Sequence, residues 1–273
     1  MMSRLLGGLW VIWLTLGSLP AAADTRVRVM AAPAPAVAAL RAMAADIEWL
    51  PEDADEADLT LVWQADGYAR GVSRHGAQPI LLLAQGQGGL NLRQQDAALL
   101  WGPPLSVQLQ LAREIMPGLR RAGILYRADQ RAEVEALQRA ATGVDILARE
   151  AGLPLEARSV AELAQRVDIL IASNDEALFS RDSAKLILLT AYRHQKAWIG
   201  PTPAFVTAGA LATRTVGKDS LLRAIVDRVR GWGRTHRLGG SQQLVADDVA
   251  CNPQVARSLA INLSAAGCPA GRD

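Results

Sequence analysis

Along the chain, short runs rich in apolar and β-branched residues alternate with longer stretches in which apolar residues recur every three or four positions. The runs lie at 26–31, 59–63, 80–83, 121–126, 167–172 and 197–200. Residues apolar on both faces suit strands covered by helices on either side, as in parallel sheets. The helix-like stretches lie at 36–45, 105–116, 129–151, 160–165, 180–194 and 219–232, with 67–76 a short amphipathic helix or loop. Further extended pieces are expected at 153–156, 210–216 and 244–246, and Asn252-Pro253 is read as starting a last helix to about 261. Strand and helix in alternation imply right-handed βαβ units. The alternation starts afresh near residue 119. The fold class expected is therefore α/β, with two doubly wound lobes carrying parallel sheets.

The N-terminus changes what counts as the folded chain. Met1 to Arg4 carry one positive charge, Leu5 to Leu19 are almost wholly apolar, and Pro20 precedes Ala21-Ala22-Ala23 and Asp24. That is the n-region, h-region and small-residue cleavage pattern of a secretory signal peptide, with the cut expected after Ala23. The apolar run is shorter than the ~20 residues of a membrane span. The sequence therefore divides into a leader at 1–23, a first lobe at 24–118 to which about 205–238 returns, and a second lobe at 119–204 completed by about 239–273. The expected compartment is the periplasm.

Composition narrows the function classes. Of 273 residues, 50% are hydrophobic, and the formal net charge is only +2. The chain is too apolar for a disordered protein and too nearly neutral for one that binds nucleic acid through a broad basic surface. The two cysteines, Cys251 and Cys268, lie near the C-terminus. An oxidising compartment favours their pairing; two unpaired thiols are the alternative.

Catalytic and metal-binding patterns are missing. His75, His194 and His236 lie far apart, and neither HExxH nor CxxC occurs, so no metal centre is expected. Gly86-Gln87-Gly88-Gly89 follows a strand, but lacks the order of a dinucleotide or P-loop motif and reads as a plain turn. The carboxylate groups at 52–58 and at Asp247-Asp248 read as solvated turn charges. No cofactor and no enzymatic activity are expected. What remains is polarity at strand C-terminal ends, where open parallel sheets bind ligands: Ala31-Ala32, 85–87, and Ser173-Asn174-Asp175. The last has two readings, a ligand contact or the N-cap of the following helix.

Several segments, in order, carry a resemblance: Ala57-Asp58-Leu59 through Val62 with Gly67 and Ala69, the Pro79-Ile80 strand, and Leu109 to Glu114 ending in Met116-Pro117-Gly118. Arg121 to Tyr126, Ser173-Asn174-Asp175-Glu176 to Ser180, Ala208-Gly209-Ala210-Leu211-Ala212 and Asn252 to Leu259 continue it. Together they resemble the periplasmic ABC-transporter substrate-binding proteins of the type that includes tryptophan- and phenylalanine-binding members. The resemblance implies two lobes of periplasmic binding protein type I-like fold, joined by a hinge, closing on a small molecule. Carried over by position, the ligand-binding residues it implies are Gln85, Ser106, Asn174, Asp175 and Thr202, with Tyr68, Trp101 or Phe205 covering an apolar part. It implies a monomer that holds a small polar ligand, an amino acid among the candidates, for an inner-membrane permease. Against the family's pattern, 30–63 reads as too short for a full second strand and helix, a trimmed first lobe. That trimming motivates an alternative, a ligand-sensing or accessory protein for a histidine kinase or outer-membrane receptor.

Overall fold

A computed structural model describes residues 25–86, 90–263 and 267–268. The leader at 1–23 and residues 87–89 of the glycine-rich turn lie outside them. The chain begins β1 (Thr25–Met30), α1 (Ala34–Met43), β2 (Ile47–Leu50), β3 (Leu59–Val62), α2 (Tyr68–His75), β4 (Ile80–Ala84) and β5 (Ala97–Leu100). Here the first lobe departs from expectation: α1 and β2 both fit between Met30 and β3, and β2 pairs in parallel with β1. The lobe is not trimmed. Its second strand escapes a reading by apolar runs because Glu48 interrupts it on the exposed face.

The chain then crosses at 101–104 into the second lobe. There follow α3 (Leu105–Ile115), β6 (Arg121–Tyr126), α4 (Arg131–Ala140), β7 (Asp145–Glu150), α5 (Ala157–Ala164), β8 (Ile169–Ala172), α6 (Arg181–Arg193), β9 (Ala197–Ile199), α7 (Pro203–Ala208) and β10 (Ala212–Thr215). Residues 129–151 are not one helix. The helix stops at Ala140, Gly143 turns the chain at φ +73, and Asp145–Glu150 pairs along the whole length of β6. Helix-forming residues are held extended there by the sheet edge, a tertiary override of local preference. The 153–156 segment contains Pro154, which has no N–H for a ladder, and it forms no strand.

At Val216-Gly217 the chain returns to the first lobe as α8 (Lys218–Thr235) and β11 (Gln242–Gln243). It crosses a last time at 244–247, where a strand was expected, and ends with β12 (Asp248–Cys251) and α9 (Pro253–Ser258) in the second lobe.

Each lobe is a six-stranded sheet, ordered β11-β5-β4-β3-β1-β2 and β12-β10-β9-β8-β6-β7. All pairings are parallel except β10 with β12. Two sequence boundaries move. Helix α3 belongs to the second lobe, since Leu105 and Leu109 join one apolar cluster with Ile124 and Ile169; the division after residue 118 falls one helix late. Likewise α7 and β10 stay in the second lobe, and the return to the first runs from α8 to β11 instead of 205–238. Helix α8 covers the first sheet with Ile225, Val229 and Trp232 against Val27 and Leu59. Burying each of these side chains is worth about 1.5–3 kcal/mol, so α8 is a structural wall of that lobe.

Cys251 and Cys268 form a disulfide with Cα atoms 5.7 Å apart, tying the tail to the antiparallel edge strand. Among the described residues no helix is long and apolar enough to cross a membrane.

Candidate functional site

In a sheet ordered this way the chain runs outward in opposite directions from two neighbouring strands, leaving a crevice beyond their C-terminal ends. In the second lobe those strands are β6 and β8, and the turns after them, Arg127 to Gln130 and Asn174 to Glu176, line one side of a cavity. The other side is Ala65, after β3, with Ala84, Gln85 and Gly86, at the end of β4 in the first lobe. The cavity therefore lies between the lobes and has a volume of about 110 Å³.

The lobes touch through Asn174. Its Nδ2 donates to the Pro103 carbonyl at 2.6 Å, so the side chain reaches the first crossing of the chain. It can do so because glycines stand opposite. A Cβ on Gly102 would lie 2.3 Å from the Gln85 carbonyl oxygen and 2.8 Å from Asn174 Oδ1, and one on Gly86 would lie 3.1 Å from Asn174 Cβ.

Asp175 is built into the second lobe. Its Oδ1 accepts from the N–H groups of Ala177 and Leu178 at 3.0 and 2.8 Å. Its Oδ2 accepts from Arg127 Nε at 2.5 Å, and its side chain is only 2% exposed. Both oxygens are thus engaged, and the hydrogen bond that the Arg127 guanidinium donates to Asp175 holds it above its usual pKa despite partial burial. Arg127 also approaches Asp129, at 3.5 Å. Ser173 faces inward, its hydroxyl 2.7 Å from Gln130 Oε1. Glu176 differs: burial pushes its carboxyl above the ordinary range, and Asp66 and Asp175 push the same way, partly opposed by the backbone amide of Gln85.

Of the residues named from the sequence, Gln85, Asn174 and Asp175 line this cavity and the others do not. Ser106 is exposed on the first turn of α3. Thr202 is buried ahead of α7, its carbonyl accepting from Phe205 N at 3.0 Å. The three aromatics have other work. The Tyr68 hydroxyl donates to Asp96 Oδ2 at 2.5 Å and accepts from Arg93 N at 3.0 Å. Trp101 packs on the first-lobe core, and Phe205 stands edge-on to Trp198 with ring centres 5.6 Å apart. Arg127, Asp129, Gln130 and Glu176 were not singled out, although the rule that marks strand C-terminal ends applies to β6 as it does to β8.

No protein-family model and no curated protein matches the chain. Solved structures do match. A conserved domain protein from Vibrio cholerae O1 biovar El Tor is 16% identical, with 90% of this chain and 99% of that one covered at a TM-score of 0.62. An ABC domain from Streptococcus pneumoniae in complex with L-Trp is 15% identical, covering 89% and 99% at a TM-score of 0.61. A substrate-binding protein with adhesive properties from Clostridium difficile, in a ligand-free open form, is 15% identical, covering 91% and 97% at a TM-score of 0.61. The chain shares the fold of these structures, two α/β lobes of periplasmic binding protein type I-like architecture.

Proposed function

We propose that this chain is an exported solute-binding protein, which holds a small polar molecule between its lobes and delivers it to an ABC-type importer in the inner membrane. The observation that carries the reading is the cavity at the C-terminal ends of β3, β4, β6 and β8, lined from both lobes and spanned by Asn174. A ligand that touches both walls favours the closed arrangement by its higher affinity for it, and the three crossings of the chain form the hinge about which the lobes move. Gln85 and Asn174 offer amide groups that both donate and accept, suited to a polar solute. An amino acid is among the candidates, and the L-Trp held by the Streptococcus protein is a ligand of that class. On this reading the protein is a periplasmic monomer without cofactor or catalytic activity, freed of its leader after Ala23. The sensing alternative loses its motive with the trimmed first lobe, because α1 and β2 are present.

The test is thermal unfolding of the mature protein against a panel of amino acids, amines, sugars and polyols. A solute present at 100 times its dissociation constant adds about 2.7 kcal/mol of stability, which for a chain of this size is about 5–10 °C. A shift of that order that disappears in Asn174→Ala supports the reading. A panel in which nothing shifts the transition, or a shift that Asn174→Ala leaves intact, counts against it. N-terminal sequencing of the exported protein should begin at Asp24, and a retained leader would contradict the export step.

A further inference from the structure

The charges around the cleft are unbalanced. Asp129, Asp175 and Glu176 line it, Asp66 follows Ala65 on the opposite wall, and Arg127 is the one cation among the described lining residues. Arg127 and Asp175 neutralise each other at 2.5 Å, and the second oxygen of Asp175 caps the turn that follows. What is left lining the space is Asp129, only loosely held by Arg127 at 3.5 Å, and Glu176, whose carboxyl takes the backbone amide of Gln85 as partner and feels the charge of Asp66. The lining carboxylates belong to the second lobe, and Asp66 of the first already acts on Glu176 across the cleft, so closure brings like charges together. In a space partly shielded from water that repulsion is stronger than in bulk.

We infer, resting on the reading of this cleft as a ligand site, that its ligand is a compact organic cation, an amine or guanidine seated between Asp66 of the first lobe and Glu176 and Asp129 of the second. The cation supplies the charge that closure otherwise lacks, and its N–H groups find acceptors on both walls, the side-chain carbonyl of Gln85 included. A free carboxylate on the ligand would meet three acids and an Arg already paired. A large apolar group has no aromatic partner either, since no aromatic side chain lines the described cleft. Burial first, and then the charge of Asp66, raises the Glu176 carboxyl, and a cation seated beside it would oppose the second of these effects. A metal ion does not fit: among the described residues no group of His, Cys, Asp and Glu is disposed to hold one.

Isothermal titration near neutral pH separates the outcomes, with putrescine and agmatine as cationic probes and L-tryptophan, L-aspartate and myo-inositol as the others. The expected result is binding of a cationic probe only, weakened about tenfold or more in Glu176→Gln and again in Asp66→Asn, and weakened by added salt. The two variants sit on different lobes, so misfolding of one leaves the other to decide. Cation binding that both variants leave unchanged overturns the proposal. Binding of the neutral or anionic probes instead, abolished by Asn174→Trp, overturns the cation and keeps the cleft. Absence of binding by every probe up to about 10 mM, weaker than about 3 kcal/mol of affinity, overturns both.

Discussion

At the scale of single residues, the cleft depends on what is missing as much as on what is present. Gly102 leaves the room that Asn174 occupies, with the Gln85 carbonyl behind it. Gly102→Ala puts a methyl against a backbone oxygen that cannot rotate away, and overpacking of this kind costs about 1–3 kcal/mol. The expected outcome is a lower melting temperature together with a larger radius of gyration in small-angle scattering, because Asn174 loses its seat on the Pro103 carbonyl. An unchanged radius would mean that Asn174 does not hold the lobes together. Asp175 illustrates why residue type alone does not identify a ligand contact. It lines the cleft, yet both of its oxygens serve the fold, while its neighbour Glu176 has the less committed carboxyl.

At the scale of elements, the antiparallel edge strand β12 and helix α9 are tied down by Cys251 and Cys268. Cross-linking cysteines separated by 17 residues removes about 3 kcal/mol of unfolded-state freedom in the chain-entropy account. Replacing both with Ser is expected to lower stability to denaturant by about that amount with little change in ligand affinity, since the cleft lies at β3, β4, β6 and β8. A variant as stable as the parent would place the stabilisation elsewhere. Elements differ in how plainly the sequence declares them. Strand β6 is legible because Ala122 to Leu125 are buried on both faces, and β4 for the same reason. Strand β7, Asp-Ile-Leu-Ala-Arg-Glu, is not, because its exposed ends and half-buried middle match a helix pattern until β6 is beside it. The assignment of α3 to a lobe is equally hidden: it follows β5 as any βα unit would, and only the packing of Leu105 and Leu109 decides. For the cleft, the strand-end rule reached Gln85 and Asn174 from local order alone. The same rule applies to Arg127 and Glu176 after β6 and β8, but only the strand order of the second sheet, in which β6 and β8 become neighbours, brings them onto one cavity wall.

At the scale of the whole molecule, three crossings join the lobes and side chains fasten them to one another. Gln243 Nε2, at the end of β11, donates to the carbonyls of Leu100 and Gly102, tying the start of the third crossing to the start of the first. Asp247 accepts from Gly217 N at 2.7 Å and Ser220 Oγ at 2.5 Å, linking the third to the second. The hydrogen bond from Ser220, with that from the Gly217 amide, holds the Asp247 carboxyl below its ordinary value of 3.8. A carboxylate depressed in the folded state stabilises it above the unfolded value and loses that contribution as pH falls through the folded one. Asp247→Asn is therefore expected to be less stable than the parent near neutral pH, with the gap closing as the solution is made more acidic than about 4. Thermal unfolding across that range checks it; a constant gap would show that the charge of Asp247 does not contribute.

The order in which the chain is made gives the interleaved lobes a further meaning. The first sheet lacks the α8 wall until residues 218–235 exist, and lacks its β11 edge until Gln242 and Gln243 follow. The second lacks its β12 edge for longer still, until Asp248–Cys251 are added. A growing chain thus carries two unfinished sheets, each with an apolar face or an unpaired edge uncovered, through most of its synthesis. Neither lobe can lock early, and both are completed by the same last stretch of polypeptide. A chain interrupted before residue 217 holds most of the strands but not the helix that covers Val27 and Leu59, and so leaves an apolar face of the first sheet open to water.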